Sequence, residues 1–413
     1  MKRTLIVLLV LCALVASFGV SQAQAATKIS MWTLFGGGEG SIMTDLIAQF
    51  NKENPEIVVE EQIIDWGQYY NKLLTSLLAG EAPDVGIMHL AVLPDYASRG
   101  VLNPIGDLLP KGFADKFLKN ILAQAMFDGK QYAIPMDTHP MVLYYNKKAL
   151  KAAGLVDAKG EALVPKTWAE MLDYSQKFKA KTGKAALTLE TGPMLGERWW
   201  IAMYSQLGAN FLDPKTGKLL VDLDKATKAY EEIAKFFKDG LTVVPMGYAD
   251  GESLFINGEC AYHFNGVWAM SVYPATKDLE FGVTYLPALA GSKPLTWGDS
   301  HSLIFPKGKD KAKFEAALVF GTWFSEHTME WAKAGHLPVN GDVIKSEAFL
   351  NLPMRKDYIG VAENAVLAPS VKGWTEIRQA MWDNGEKTMS GQQTPAQAAA
   401  ELKKKIEEIG AAQ

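Results

Sequence analysis

The side chains of this chain that are best suited to chemistry are aromatic rings and fixed hydrogen-bonding groups. The sequence contains 11 tryptophans among 413 residues. A sugar ring has an apolar C–H face and a rim of hydroxyl groups, so a protein binds it with flat aromatic platforms and rigid polar side chains. The tryptophans of this chain could supply such platforms, and the alternative for any single one of them is a place in the core. Three platforms are predicted at loop or helix-start positions, namely Trp66, Trp297 and one of Trp199 or Trp200.

The expected hydroxyl-binding groups are polar residues that follow a predicted strand or lie where the chain crosses between lobes. They are Asp65, His89, Asp137 and Asp299. For Asp65 and Asp299 a role as a loop cap or in a turn explains the residue equally well. Asn265 is open in the same way, because it precedes Gly266 at a predicted helix start and either caps that helix or contacts ligand.

A glycine-rich loop over residues 35–40 connects the first predicted strand to the first predicted helix. Such a loop exposes backbone N–H groups at a helix N-terminus, which suits a hydroxyl group or an anion. Gly37 and Glu39 are therefore predicted ligand contacts. The loop does not fit a dinucleotide, because Ser41 stands where the fingerprint requires its third glycine.

Enzymatic and metal-binding signatures are absent from the sequence. It has no HExxH, no GxSxG and no Cys/His spacing typical of zinc. A glycoside hydrolase needs two carboxylates that flank the bond, and the spacing of Asp65 and Asp299 alone does not exclude that pair. We expect no catalytic residue, no metal ion and no cofactor.

The charge pattern argues against nucleic acid, an anionic membrane and a phosphorylated ligand. The formal charge is −4, and loss of Lys2 and Arg3 with the leader described below makes it −6. No basic stripe supplies attraction for phosphates. A phosphate ester would need clustered cations, and only Arg198 and Arg378 are plausible near a cleft, so a neutral ligand is favoured over a glycerol phosphate.

The N-terminus has the features of an export signal. Lys2 and Arg3 precede an apolar run over residues 5–20 and a small-residue cleavage site at residues 23–25. We expect cleavage after residue 25 and an exported, soluble protein in the periplasm or at the cell surface. Lipid attachment at Cys12 is a less favoured alternative, because the residue before it is Leu11. Cys260 is then the single remaining cysteine, predicted to be a buried apolar residue.

Alternating strands and helices predict an α/β protein of two lobes. In the first lobe, strands at residues 28–34, 57–64 and 82–88 alternate with helices at 41–54 and 69–79, which implies a parallel sheet with its ligand at the carboxyl ends of the strands. The alternation restarts after residue 150, with a capping box at Thr167 and a long amphipathic helix at 224–239. Several crossovers join the lobes, which is a hinge architecture with a cleft between them.

The first crossover carries a recognisable motif. Pro135-Met-Asp137 is followed after four residues by Val142-Leu-Tyr-Tyr-Asn146 and after three more by Leu150. This pattern resembles the signature of the family 1 extracellular solute-binding proteins, the binding components of sugar-type ABC importers. It departs from the signature at Ala152, where the family has a charged or amide residue. Shorter matches in the same order cover the rest of the chain after the leader, at residues 50–55, 80–85, 167–170, 255–259, 266–268 and 335–338.

The resemblance implies a two-lobed periplasmic-binding-protein fold of type II, with parallel-core sheets flanked by helices and several hinge crossovers. It also implies that Trp268 and Trp374 stack on ligand and that His89 contacts it. The implied function is capture of a sugar, with an oligosaccharide favoured over a monosaccharide or polyol, and delivery to the permease subunits of an ABC transporter. A sensor that docks on a different membrane protein stays open.

The predicted lobes are residues 26–137 with 287–335, and residues 138–286 with 336–413, in a monomer. The predicted ligand-binding residues are Trp268, Trp374, His89, Asp65, Trp66, Asp137, Asn265, Gly266, Trp297, Asp299, Arg198, Trp199, Gly37 and Glu39.

Overall fold

The computed structural model describes residues 25–243 and 247–412. Residues 1–24, which include Cys12 and nearly all of the predicted leader, fall outside the described residues. Within the described ranges, no helix combines the length and the apolar character that crossing a membrane requires. Cys260 is buried as predicted, and burial raises the pKa of its thiol to about 12.

The strands and α-helices follow one another along the whole described chain. The strands are β1 (Thr27–Thr33), β2 (Ile57–Ile63), β3 (Val85–His89), β4 (Met126–Phe127), β5 (Lys130–Gln131), β6 (Ala133–Pro135), β7 (Asp137–Thr138), β8 (Met141–Asn146), β9 (Leu187–Thr188), β10 (Tyr262–Gly266), β11 (Phe281–Thr284), β12 (Thr296–Trp297), β13 (His301–Ile304), β14 (Leu337–Pro338) and β15 (Ala365–Val366). The helices are α1 (Gly37–Glu53), α2 (Trp66–Ala79), α3 (Leu93–Ala97), α4 (Lys119–Gln124), α5 (Lys147–Ala152), α6 (Trp168–Thr182), α7 (Trp200–Gln206), α8 (Leu223–Lys238), α9 (Tyr248–Ile256), α10 (Lys311–Glu326), α11 (Thr328–Trp331), α12 (Glu347–Leu350), α13 (Arg355–Tyr358), α14 (Trp374–Met389) and α15 (Pro395–Ala411).

The first sheet has the strand order β2-β1-β3-β13-β6. β1 runs parallel to β2 and β3, as predicted, and β13 lies antiparallel between β3 and β6. Every residue of β3 is buried, which is typical of a central strand covered on both faces. Helix α1 packs on this sheet through Met43, Leu46 and Phe50. We call this sheet and its helices the first lobe.

The second sheet has the order β11-β8-β10-β9 and is mainly antiparallel. The expectation of a parallel core fails here for the pairs of β8 with β10 and β11, and holds for β10 with β9. The reason is the path of the chain. β8 leaves the crossover, whereas β10 returns to it with Gly266 opposite Met141. We call this sheet and its helices the second lobe, and the exact residue boundaries of the two lobes stay a prediction.

Local signals in the sequence are confirmed at several helix ends. Asn146 caps α5 by accepting a hydrogen bond from the Ala149 N–H, and Thr167 and Thr394 both form capping boxes. A break at His327 separates α10 from α11. Two features were not predicted: helix α9, and a π-helix at Pro193–Trp199 that leads directly into α7.

Two short strand pairs lie where the lobes join. The predicted lobe boundaries place the second crossover near residue 287 and the third near residues 335–338. β7 and β14 pair antiparallel, so the first crossover is bonded to the third. β12 and β15 pair parallel, which bonds the segment after the second crossover to the segment before α14. These connections fix the cleft edge of both lobes, because they lie where β3, β8, β10 and β13 begin or end.

The π-helix packs against α14 at two glycines. A Cβ on Gly196 would lie 2.5 Å from Trp382 Cα, and one on Gly385 would lie 2.5 Å from Gly196 Cα. Gly196→Ala is therefore expected to lower the free energy of unfolding by about 1–3 kcal/mol, because backbone atoms cannot yield as a side chain can. Urea denaturation measures the change. Gly341→Ala is the control, because its nearest neighbour would be 3.9 Å away, and an equal loss in both variants would contradict the packing argument.

Candidate functional site

A cavity of about 650 Å³ lies between the lobes. The first lobe lines it with residues that follow its strands: the loop after β1, the N-terminus of α2 after β2, and His89 at the end of β3. The second lobe lines it with α9, the π-helix and the 3₁₀ helix at Val267–Ser271. The carboxyl-end rule for parallel strands thus located the first-lobe half of the cleft correctly.

Seven of the predicted ligand-binding residues line this cavity. They are Gly37, Glu39, Asp65, Trp66, His89, Arg198 and Trp268. Asp65 also accepts a hydrogen bond from the Gly67 N–H at 3.0 Å, so it caps α2 and faces the cavity at once. The two interpretations left open for Asp65 are therefore compatible.

Trp268 is held flat against the backbone of the strand that precedes it. Its indole Nε1 donates to the Tyr248 hydroxyl at 3.2 Å, and the same hydroxyl accepts from the Asn265 amide at 3.2 Å. A Cβ on Gly266 would lie 1.8 Å from the indole ring. Contrary to expectation, neither Gly266 nor Asn265 lines the cavity. Both position Trp268 instead, because Gly266 leaves space for the indole and Asn265 shares the Tyr248 hydroxyl with it.

Arg198 lies between two indoles. Its guanidinium carbon is 5.1 Å from the centre of the Trp268 ring and 4.6 Å from that of Trp297. Burial lowers the pKa of this guanidinium, although the nearby carboxylates of Glu197 and Glu190 oppose the shift. Trp297 is buried beneath Arg198 and does not reach the cavity, so it acts on the site through the arginine.

Three imidazoles form one wall of the cavity: His89, His139 and His301. Ring centres lie 4.0 Å apart for His139 and His301 and 4.6 Å apart for His89 and His301. The Nδ1 atom of each ring has a partner inside the protein. His89 Nδ1 contacts the Tyr70 hydroxyl at 2.5 Å, and Nδ1 of both other rings contacts Asp137 at 2.9 Å.

These bonds set the chemistry that the imidazoles present to the cavity. The Tyr70 hydroxyl accepts from the His89 backbone N–H at 3.0 Å, so it donates to His89 Nδ1 and leaves Nε2–H as a donor. His139 and His301 donate Nδ1–H to the Asp137 carboxylate. Burial lowers the pKa of both His89 and His139 well below the usual range, helped by neighbouring histidines, so both rings are neutral.

Asp137 does not line the cavity, contrary to expectation, and is fully buried behind the histidines. Its carboxylate accepts hydrogen bonds from Nδ1 of His139 and His301, from the His301 backbone N–H at 3.1 Å and from the Trp331 indole at 2.6 Å. Burial alone would raise its pKa, but the charges and donors of the surrounding histidines hold the pKa well below its usual value. Asp137 is therefore ionised, and its hydrogen bonds fix the orientation of the His139 and His301 rings in the cavity wall.

The polar lining is mainly acidic. Among the described residues that line the cavity, four carry carboxylates, Glu39, Asp65, Glu190 and Glu252, and Arg198 carries the one guanidinium. Burial raises the pKa of Glu190 and of Glu252. Glu39 contacts His336 Nε2 at 2.7 Å, and this pairing and the Asp137 charge raise the pKa of His336 against the effect of its burial.

The structure places three further predicted residues away from the cavity. Trp374 and Trp199 have no exposed surface and pack in the second-lobe core, Trp374 edge-on to Phe211 and Trp199 edge-on to Phe264. Asp299 is buried and accepts from the backbone N–H groups of Ser300 and Ala91, which is the loop-capping role left open for it. Neither indole offers a free face to a ligand in this conformation, because core side chains cover them.

The sequence reasoning missed several residues that line the cavity. Tyr248 and Glu252 belong to α9, which was not predicted, and Glu190 precedes the unpredicted π-helix. His139 and His301 were overlooked although they flank Asp137 and Asp299 at two positions' distance. Their closeness in sequence to Asp137 and Asp299 was the signal that could have identified them.

Comparison with known proteins identifies the family. Residues 45–356 match the family described as bacterial extracellular solute-binding protein. The chain belongs to this family. The members of this family are binding proteins rather than enzymes, as expected from the crossover motif.

Individual relatives agree with this assignment. The chain is 25% identical to the arabinooligosaccharide-binding protein of Bacillus subtilis over 82% of this chain and 79% of that one. It is 24% identical to the sn-glycerol-3-phosphate-binding periplasmic protein of Agrobacterium fabrum over 78% of this chain and 76% of that one. The GacH receptor of Streptomyces glaucescens, solved unliganded and with acarbose, superposes with a TM-score of 0.85 at 22% identity over 94% of this chain and 99% of that one. The two-lobed fold is thereby confirmed.

The position of Trp268 depends on the missing side chain at residue 266. Gly266→Ala is expected to lower the free energy of unfolding by about 1–3 kcal/mol, because the methyl group would overlap the indole and displace it. In a Trp268→Ala background the same substitution is expected to cost less than about 0.5 kcal/mol. Urea denaturation of the four variants of this cycle measures the coupling.

Gly36→Ala provides the matched control, since Gly36 also lines the cavity, has φ −114° and has no heavy atom within 4 Å of the position that a Cβ would take. It is expected to leave stability unchanged. Additive effects of Gly266→Ala and Trp268→Ala would show that the indole does not lie against Gly266.

Proposed function

We propose that this protein captures a neutral saccharide of two or more rings between its lobes and delivers it to the permease subunits of an ABC transporter. The observation that carries the proposal is the lining of the interlobe cavity, which combines indoles on both lobes with carboxylates, an arginine and oriented imidazoles. Trp66 and Trp268 offer one platform from each lobe. Stacking on apolar ring faces and hydrogen bonding to a hydroxyl rim need this combination.

The mixture of donors and acceptors on the cavity wall suits hydroxyl groups in particular. His89 presents a donor, and the four carboxylates of the lining present acceptors. A hydroxyl group both donates and accepts, so it pairs with either kind of group. The relatives named for arabinooligosaccharide binding and studied with acarbose support a ligand with several rings.

A glycerol phosphate is the second candidate ligand, because one relative is named for binding it. The charge of the cavity disfavours it. A phosphate needs converging cations or backbone donors, whereas the described lining has four carboxylates and the guanidinium of Arg198 lies between two indoles. Arg378, the other predicted cation, pairs with Glu197 at 3.1 Å and does not line the cavity.

Contacts between the lobes support a mechanism based on closure. A Cβ on Gly38 in the first lobe would lie 2.6 Å from the Ser271 oxygen in the second. Asp95 on α3 accepts from the Thr375 N–H at 3.0 Å at the start of α14, where the helix dipole favours a negative charge. A ligand that contacts both lobes stabilises this arrangement by its differential affinity for it. The permease, rather than a sensor, then recognises the closed, exported monomer.

Neutral oligosaccharides are expected to raise the melting temperature of the purified protein, because a ligand that binds the native state stabilises it by mass action. A thermal-shift screen against mono- and oligosaccharides, polyols and glycerol phosphates identifies the class, and calorimetry with product analysis measures affinity and turnover. Trp268→Ala is expected to weaken binding at least about tenfold, or 1.4 kcal/mol.

Trp323→Ala is the matched control, because this indole donates to Glu53 at 2.8 Å on the first lobe and lies outside the cavity. It is expected to retain affinity. A shift with glycerol phosphate and no neutral saccharide would replace the proposed ligand by the second candidate. Saccharide cleavage would contradict a binding function.

A further inference from the structure

Four titratable side chains converge behind the cavity wall, where the crossovers between the lobes meet. Asp137 and His139 belong to the first crossover, His301 begins β13 after the second, and His336 precedes β14 in the third. All four side chains are buried, and one nitrogen or oxygen atom of each lies within 4.8 Å of those of the others. The sequence positions 137, 139, 301 and 336 have no spacing that a zinc motif would show.

The three imidazoles surround one carboxylate. His139 Nδ1 lies 2.9 Å from Asp137 Oδ1, His301 Nδ1 lies 2.9 Å from Asp137 Oδ2, and His336 Nδ1 lies 3.9 Å from Asp137 Oδ2. In a tetrahedral zinc site with bonds of 2.0–2.1 Å, neighbouring ligand atoms are about 3.3 Å apart. The three separations from Asp137 lie on either side of that value, and the four ligand atoms lie within 4.8 Å of one another.

His336 has a buried ring nitrogen that faces the Asp137 carboxylate without a hydrogen bond. Its Nε2 contacts Glu39 at 2.7 Å, and its Nδ1 lies 3.9 Å from Asp137 Oδ2. Nδ1 is buried and has no hydrogen-bond partner among the described residues. A separation of 3.9 Å is too long for a hydrogen bond, whereas two metal–ligand bonds of about 2.0 Å would span it.

We propose that Asp137, His139, His301 and His336 bind a divalent transition-metal ion of the zinc class. Three imidazoles and one carboxylate are ligands that Zn²⁺ accepts, and imidazole also suits Co²⁺, Ni²⁺ and Cu²⁺. Glu39 takes the outer role that metal-bound histidines commonly require, because it receives the second ring N–H of His336. For an ion to bind there, the Nδ1 protons that now bridge His139 and His301 to Asp137 must move to Nε2 of the same ring or to solvent, so that both Nδ1 lone pairs face the ion.

The cluster is accessible to an ion from the cleft, because His139 and His301 also line the cavity. A metal ion at this position would join all three crossovers by coordinate bonds. Its role would be to fix the hinge and the orientation of the histidine wall. The metal site shares His139 and His301 with the cavity wall, but binding of the ion can be measured without the proposed ligand. The proposal departs from the expectation, based on the motifs of the chain, that no metal ion is bound.

The test uses the full exported protein without any saccharide, after treatment with EDTA and removal of the chelator. Zn²⁺ at 100-fold excess over its dissociation constant is expected to raise the melting temperature by roughly 5 °C, with Mg²⁺ and Ca²⁺ giving no shift. Calorimetry is expected to give one ion per chain. Co²⁺ is expected to produce the visible absorption bands of four-coordinate cobalt, a readout that requires no variant.

Two conservative variants locate the site. His336→Gln keeps an amide donor for Glu39, and His139→Asn keeps a donor near Asp137, while each removes an imidazole. Each is expected to weaken zinc binding at least about tenfold. His327→Gln is the control, because this ring stacks on Trp323 outside the cluster.

Failure of the wild-type protein to bind Zn²⁺ or Co²⁺ would overturn the proposal and assign the cluster to a proton network, with both His336 nitrogens protonated. Binding that survives in both cluster variants, or that is lost in His327→Gln, would also overturn it by placing the ion elsewhere. If either variant fails to fold, X-ray absorption of the cobalt-loaded wild-type protein decides: three imidazole ligands support the site, and fewer than two contradict it.

Discussion

The buried charge of Asp137 is the interaction on which the cleft depends. An ionised carboxylate removed from water costs several kcal/mol unless donors surround it. Here the donors come from three separate segments of the chain: His139 lies two residues away, His301 begins β13, and Trp331 ends α11. No single segment satisfies the carboxylate alone. The hinge must therefore fold as one unit for the Asp137 carboxylate to obtain its hydrogen bonds. The same bonds orient His139 and His301 in the wall of the cavity.

The second lobe positions its side of the cavity by close backbone packing instead of charge. Gly266 lets the Trp268 indole lie on the strand, and Gly196 lets the π-helix approach α14. The π-helix then places Arg198 between two indoles. A π-helix inserts an extra residue into a turn and is frequent at functional sites. Rigid stacking groups result, which reduces the entropy lost when a ligand is bound.

Much of the fold was predictable from local signals, whereas the site was predictable only in part. Asn146 and Thr167 mark helix starts by side chains that bond within three residues, and such short-range chemistry is visible in sequence. Strand ends pointed to His89 and Asp65 because parallel strands direct their carboxyl ends to one edge. The convergence of His139, His301 and His336 brings together residues that are distant in the chain, and no local pattern encodes it. Trp374 and Trp268 have similar settings in the sequence, and only the packing separates a core indole from a platform.

Closure of such a cleft requires interlobe contacts that are sufficient for docking but do not by themselves hold it shut. The described contacts fit that balance, since Asp95 accepts from exposed groups at the start of α14, a charge interaction of about 0.3–1 kcal/mol. A shift from 1:99 to 99:1 in favour of the closed form takes about 5.5 kcal/mol of differential affinity. Under the proposed function, the ligand would supply most of that difference, because it would contact Trp66 and Trp268 together. An empty cleft would then open readily, which is the behaviour that the proposed release to a transporter requires.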